Sequence, residues 1–159
     1  MSKKGNLYTG RAGHLAVMAE LMLRGWNTAI PEVDVGDDIF VVHDSQGDLR
    51  RVQVKTALAI RRQYGHSAQF NLSLPQLQTS MTPEVTYIFA VRLIDQWDSF
   101  VVIDRETLDE EHSSYRLGSG SSIDRLLLRL RFEGTSVTCK GRDLSQYLNN
   151  WTPFPVIEH

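Results

Sequence analysis

The residues best suited to chemistry lie in one stretch, GDDIFVVHDSQGDLRRVQVKT, from Gly36 to Thr56. An acidic pair, Asp37 and Asp38, precedes the apolar run Ile39 to Val42, and a Gln53-Val54-Lys55 triplet closes the next run. Two strands joined by a turn at Asp44 to Gly47 would bring a carboxylate, an amide and an ammonium to one end of a sheet. Such a cluster can hold a divalent metal beside a phosphodiester. A carboxylate at a strand start supplies the hard oxygen that Mg2+ prefers. Lys55 could orient or help deprotonate an attacking water, and Gln53 could offer its amide oxygen. Asp38 is chosen over Asp37 because it directly abuts the rigid apolar run. Taken alone, Asp38 also fits a strand-start residue that accepts a turn hydrogen bond. Gln53 and Lys55 share a side-chain direction in a strand. If that strand is central, they need polar partners. If its face is solvated, Arg51, Gln53 and Lys55 are simply its polar side.

A helix is expected over Arg11 to Arg24, ended by Gly25. On a wheel of about 100° per residue, Leu15, Met18, Leu21 and Met22 share one arc, and His14 falls inside it. Glu20 and Arg24 fall outside it, spaced i,i+4 as a surface pair. His14 therefore points toward the sheet, either hydrogen-bonded to backbone or as a metal ligand. Arg50, Arg51, Arg61 and Arg62, interleaved with Tyr64 and His66, make a local basic region suited to phosphates. Its alternative is a loop that serves solubility. A second basic cluster, Arg125, Arg129 and Arg131, either extends a binding face or pairs with Glu133 and Asp124.

The elements that must position these groups follow from the rest of the chain. A length of 159 residues suits one compact domain, and 42% hydrophobic content can supply its core. The formal net charge of -2 gives no global attraction to nucleic acid, so binding would need a local patch. The single cysteine, Cys139, excludes an intrachain disulfide and a Cys-rich metal site. With no apolar leader and no membrane-spanning run, a soluble cytoplasmic protein is expected. Short strands are predicted over Trp26 to Ile30, Asp38 to His43 and Leu49 to Thr56, then a basic loop over Ala57 to Ser67. Phe70 to Ser73 follows as an extended piece and Leu74 to Gln78 as a helical turn. Strands at Val85 to Ile94 and Ser99 to Ile103 precede a helix over Arg105 to Glu111, capped by Asp104. Gly118 to Ser122 reads as flexible. A C-terminal hairpin, Leu126 to Phe132 with Thr135 to Cys139, leads to a short helix over Asp143 to Asn150. Trp151 and Phe154 pack the tail. The pattern is an α/β (α+β) domain with a mixed sheet.

These residues carry a resemblance. GDDIFVV around Asp38, VQVKT around Gln53 and Lys55, and RGWNTAIPEVDVGDD before them resemble small bacterial members of the PD-(D/E)XK nuclease-like superfamily. The resemblance implies a restriction endonuclease-like mixed β-sheet with flanking helices, in a single domain over 1–159. Its core would be 10–112 and its C-terminal extension 113–159. It implies that Asp38, Gln53 and the Val54 carbonyl bind Mg2+ or Mn2+, and that Lys55 assists hydrolysis. Gln53 stands where most members have Glu. Gly13-His14 stands where members carry Gly-Glu on the first helix, so His14 becomes a metal ligand or a group behind one, which favours Mn2+. The implied partner is DNA, acted on by a homodimer or higher homo-oligomer. Two functions follow: metal-dependent phosphodiester hydrolysis of DNA, or a degenerate nuclease-fold domain that binds nucleic acid or a protein partner without cleavage. An unrelated small α/β protein is the third possibility.

Overall fold

The structure, a computed structural model, describes residues 2–159. The first helix, α1 (Lys3–Leu23), begins ahead of the expected Arg11, where the Ser2 hydroxyl accepts from the Gly5 amide at 3.1 Å. Its buried line is Gly13, Val17 and Leu21. Leu15 and Met22, expected to face inward, are instead 53% and 54% exposed. Apolar residues run most of the way round this helix, so its wheel has no unique apolar centre. Gly13 decides the orientation. A Cβ there would lie 1.8 Å from Thr56 Oγ1, so this turn of the helix lies directly on the sheet. The expected Glu20–Arg24 pair is replaced by Arg24 stacked 5.0 Å over the Trp151 ring.

Two sheets follow. The first contains β1 (Asn27–Ala29), β2 (Ile39–His43), β3 (Asp48–Leu58), β6 (Val85–Arg92) and β7 (Trp97–Asp104), in the order β1-β2-β3-β6-β7. β3 lies antiparallel to β2 and parallel to β6, so it is central and the sheet is mixed. The second contains β4 (Ile60–Arg61), β5 (His66–Ser73), β9 (Arg125–Glu133), β10 (Ser136–Cys139) and β11 (Arg142–Asp143), with β8 (Ser119–Ser122) paired to β9. β5 and β9 pair from His66 opposite Phe132 to Ser73 opposite Arg125, joining the middle of the chain to its C-terminal hairpin. Short helices α2 (Leu74–Gln78) and α3 (Arg105–Tyr115) and a 3-10 turn at Ser145–Tyr147 complete the fold. Asp104 caps α3 as expected, its carboxylate accepting from Thr107 N at 2.8 Å.

The layers are helix, sheet, sheet. Val17, Leu21, Val52, Val54, Ile88 and Phe154 fill the space between α1 and the first sheet. Phe70, Leu72, Tyr87, Phe89, Leu128 and Leu130 fill the space between the sheets. β6 is buried on both faces, which explains its continuous apolar sequence. The expected loop over Ala57 to Ser67 instead carries β4 and the start of β5. The expected flexible segment at Gly118 to Ser122 forms β8, and the expected helix over Asp143 to Asn150 is β11 followed by the 3-10 turn. These short edge pieces have no apolar alternation of their own and exist through pairing. Among the described residues, no helix is long and apolar enough to cross a membrane.

Candidate functional site

The chemistry-bearing residues do converge. β2 begins at Ile39, opposite Val52, so the next β3 amide on that side has no strand partner. Asp38 fills the gap. Its N–H donates to the Val52 carbonyl at 2.8 Å, and its Oδ2 accepts from the Val54 N–H at 2.7 Å. The same oxygen accepts from Gln53 Nε2 at 2.6 Å and lies 3.5 Å from His14 Nε2. β3 has both faces covered, and Gln53 is only 5% exposed, so the reading that required polar partners holds. Gln53 Oε1 accepts from Gln76 Nε2 at 3.1 Å, and Gln76 also donates to the Gly36 carbonyl. Lys55 lies close enough for its charge to favour ionisation of Asp38. Burial is the larger influence and pushes the Asp38 carboxyl above its ordinary value. The Val54 hydrogen bond, His14 and Lys55 oppose that rise, while Asp34 adds to it.

Sequence reasoning missed Gln76, and it set Asp37 aside without its partner. Gln76 sits in the first turn of α2, its N–H donating to the Ser73 cap at 3.3 Å. The Ser73-Leu74-Pro75 start is a legible helix signal, but nothing local says that Gln76 reaches Gln53. Arg105 holds α2 in place. It donates to the Leu77 carbonyl at 2.7 Å and grips both Glu84 oxygens at 2.7 Å. Asp37 is fully buried and faces Arg51, with Nη1 to Oδ2 at 3.4 Å. Tyr87 lies beside Gln53 in the β3–β6 register, and burial pushes its phenol up to about 12.

The metal expectation is overturned. Among the described residues, no group of three or more His, Cys, Asp or Glu side chains is placed to hold a metal ion. The donor chemistry explains why. Asp38 Oδ2 already receives Gln53, the Val54 N–H and the His14 ring, and the Gln53 oxygen receives Gln76. Asp37, the other acid of the pair, faces Arg51. The oxygen-rich octahedron that Mg2+ needs is not assembled, and Mn2+ gains a single imidazole. The expected ligands Asp38, Gln53 and Val54 are thus bonded to one another, with His14 beside them at 3.5 Å.

The expected basic region divides. Arg50 is bound to Asp48 Oδ2 at 3.0 Å and to the Pro153 carbonyl, and stacks 4.8 Å over the Trp26 ring. Arg51 faces Asp37, and His66 meets Asp98 Oδ2 at 3.0 Å while stacked on Phe132. Arg61, Arg62 and Tyr64 remain exposed around the β4–β5 turn. Arg62 is the residue that joins a larger feature, because Arg129 and Arg131 share its side of the second sheet. β9 turns Leu126, Leu128, Leu130 and Phe132 inward and Arg129 and Arg131 outward, opposite Gln69 and Ser67 of β5. A groove of about 710 Å³ on this outer face is lined by Arg62, Arg129, Arg131 and Lys140 with Ser67 and Thr138, and by no Asp or Glu. Lys140 reaches it from a two-residue β10–β11 turn in which Lys140 and Gly141 both have positive φ, 50° and 81°. An adjoining cavity of about 340 Å³ shares Arg62, Ser67 and Arg129, and its wall includes Thr56 and Ala57, which directly follow Lys55. Of the alternatives for the second basic cluster, the pairing with Glu133 is present, and no pair with Asp124 is found among the described residues. Arg129 donates to Gln69 at 2.8 Å, and Arg131 pairs with Glu133 at 3.0 Å. Burial raises the Cys139 thiol above its ordinary value, consistent with a packing role.

Comparison with solved structures bears on the fold. A bacterial homing endonuclease aligns over 94% of this chain and 88% of its own, with a TM-score of 0.55 at 16% identity. At that identity the likeness is one of fold alone. The Holliday junction resolvase Hjc of Archaeoglobus fulgidus also aligns, over 75% of this chain and 82% of its own, with a TM-score of 0.44 at 12% identity, an overlap too weak to argue from. No family model matches the chain, and no curated protein matches it.

Proposed function

We propose that this chain is a nuclease-fold domain that binds DNA through the outer groove of its second sheet and does not cleave it. The observation that carries this reading is the groove itself. Four cations, Arg62, Arg129, Arg131 and Lys140, line it without an acid, in a chain whose net charge is -2. Arg and Lys at such spacing engage phosphates without reading sequence, and Ser67 and Thr138 add neutral hydrogen-bonding groups. Arg61 and Tyr64 extend the face at the β4–β5 turn, Tyr64 offering an exposed ring for base stacking. The bonds that Gln53 and Val54 make to Asp38, and the lack of a metal-holding group among the described residues, support binding without hydrolysis. The bacterial homing endonuclease adds the fold alone.

The test is anisotropy of a short labelled duplex and of its single strand, titrated with the full chain at two salt concentrations. Arg129→Glu should weaken binding at least about tenfold and flatten the salt dependence. Arg50→Ala should change affinity far less, because Arg50 is already engaged by Asp48, the Pro153 carbonyl and the Trp26 ring. The same samples, run on a denaturing gel, should show intact strands. No binding at low salt, or equal affinity of wild type and Arg129→Glu, would overturn the groove. Strand cleavage lost in Asp38→Asn would restore the hydrolytic reading.

A further inference from the structure

The exposed side of α1 carries a pattern that neither core nor groove uses. Tyr8, Leu15 and Met22 are 70%, 53% and 54% exposed, and Ala12 and Ala19 between them are exposed as well. Their spacing of four, three, four and three is a coiled-coil seam on the face opposite Gly13, Val17 and Leu21. Large residues alternate with small ones along it. Continued one step toward the N-terminus, the seam reaches Gly5, again small.

We infer that this seam is the interface for a second copy of the chain, packed antiparallel through α1. In an antiparallel pair, each large residue faces a small one of the other helix. Ala12 meets Leu15 of the second copy, Ala19 meets Tyr8, and Gly5 meets Met22, each contact occurring twice about a two-fold axis. A parallel pair would instead stack Ala on Ala and Tyr on Tyr, leaving voids beside overcrowded layers. The exposed seam, with Leu23 beside it at 81% exposure, is the apolar surface that the pair would bury, against the roughly 1,200 Å² of the smallest stable interfaces. The inference stands whether or not the groove binds DNA.

Sedimentation of the full chain across micromolar concentrations tests it. A species of twice the 18.1 kDa chain mass is expected. Leu15→Glu should weaken the dimer at least tenfold, because it buries two carboxylates near the axis. Its circular dichroism should be unchanged, since Leu15 is exposed in the single chain. Ala12→Leu should also weaken the dimer, and the swap A12L/L15A should restore it. A monomer at every concentration would overturn the inference, including one that floats with lipid vesicles. So would a dimer indifferent to Leu15→Glu, or one strengthened by Ala12→Leu alone, which is the parallel outcome.

Discussion

The two sheets carry two kinds of polar surface. At the start of β2, Asp38, Gln53, Gln76 and His14 close upon one another, and Gln53 is only 5% exposed. On the outer face of the second sheet, Arg62 and Arg129 hold only neutral partners, Ser67 and Gln69. The difference follows from solvation. A buried polar group must find a protein partner or suffer a large desolvation cost, so Asp38, Gln53 and Gln76 bond to one another, while the His14 Nδ1 is left buried without a partner. An exposed guanidinium keeps water and can exchange it for a ligand. A motif with the residue types of a catalytic site can therefore be occupied with holding its own sheet together. A surface with no motif can keep its charge available.

The comparison is broken most severely at Arg105. Its side chain is 8% exposed, grips Glu84 with two bonds and holds the Leu77 carbonyl at the end of α2. Arg105→Ala should destabilise the fold by about 2 kcal/mol, because it removes the bonds to the partly exposed Glu84 and leaves the Leu77 carbonyl without its donor. Chemical denaturation measures this. Amide exchange at Gln76 and Gln53 should speed up before that of β9, because α2 is released while the second sheet keeps its ladder. Glu84 also sets a pH signature. Its hydrogen bonds to Arg105 hold its carboxyl below the ordinary value. The stability it contributes is present above the unfolded pKa and is lost as pH falls through the lowered folded value. In Arg105→Ala, that acid-side loss should shrink to the part that the Val85 and Met81 amides sustain.

A smaller effect sharpens the other side. Glu133 is the one acid paired to the groove cations, 3.0 Å from Arg131 across an exposed pair. Such pairs contribute less than about 1 kcal/mol, so Arg131 can leave it for a phosphate. Glu133→Gln should tighten DNA binding about threefold, without a measurable change in stability. Weaker binding would mean that Glu133 orients Arg131 toward the ligand, and the groove would then resemble the inner cluster.

Sequence read the two regions unequally. Convergence of Asp38, Gln53, Val54 and His14 was legible because strand direction and helix period act locally. Gly13 before His14 was part of the signal, since the helix can approach Thr56 only without a side chain there. What those groups do once together was not legible, because it depends on Gln76, which arrives from 23 residues beyond Gln53. The engagement of Arg50 and Arg51 was hidden for the same reason. Arg50 meets Pro153 from the tail, and Arg51 faces Asp37 from the preceding turn. The groove was half visible. Arg129 and Arg131 alternate on a predicted strand, but only the β5–β9 register sets them beside Ser67 and, through it, Arg62.

The smallest effect tests whether the inner cluster is a structural device. Burial raises the Asp38 carboxyl despite the Val54 hydrogen bond and the charges of His14 and Lys55, with Asp34 adding to the rise. Between the unfolded value and the raised folded one, the native state binds more protons than the unfolded chain. Stability therefore falls as pH rises through that window, and the cost of the charged form persists above it. Asp38→Asn keeps an oxygen to accept from Val54 and Gln53 and removes the charge. The variant should lose this slope in denaturation measured from acid to neutral pH. Above the window it should be at least as stable as wild type, and its DNA affinity should be unchanged. A variant markedly less stable at neutral pH would show that the carboxylate charge itself holds His14 and Lys55 in place. The inner cluster would then keep a functional charge in spite of its burial, and the contrast between the two sheets would fail at its central residue.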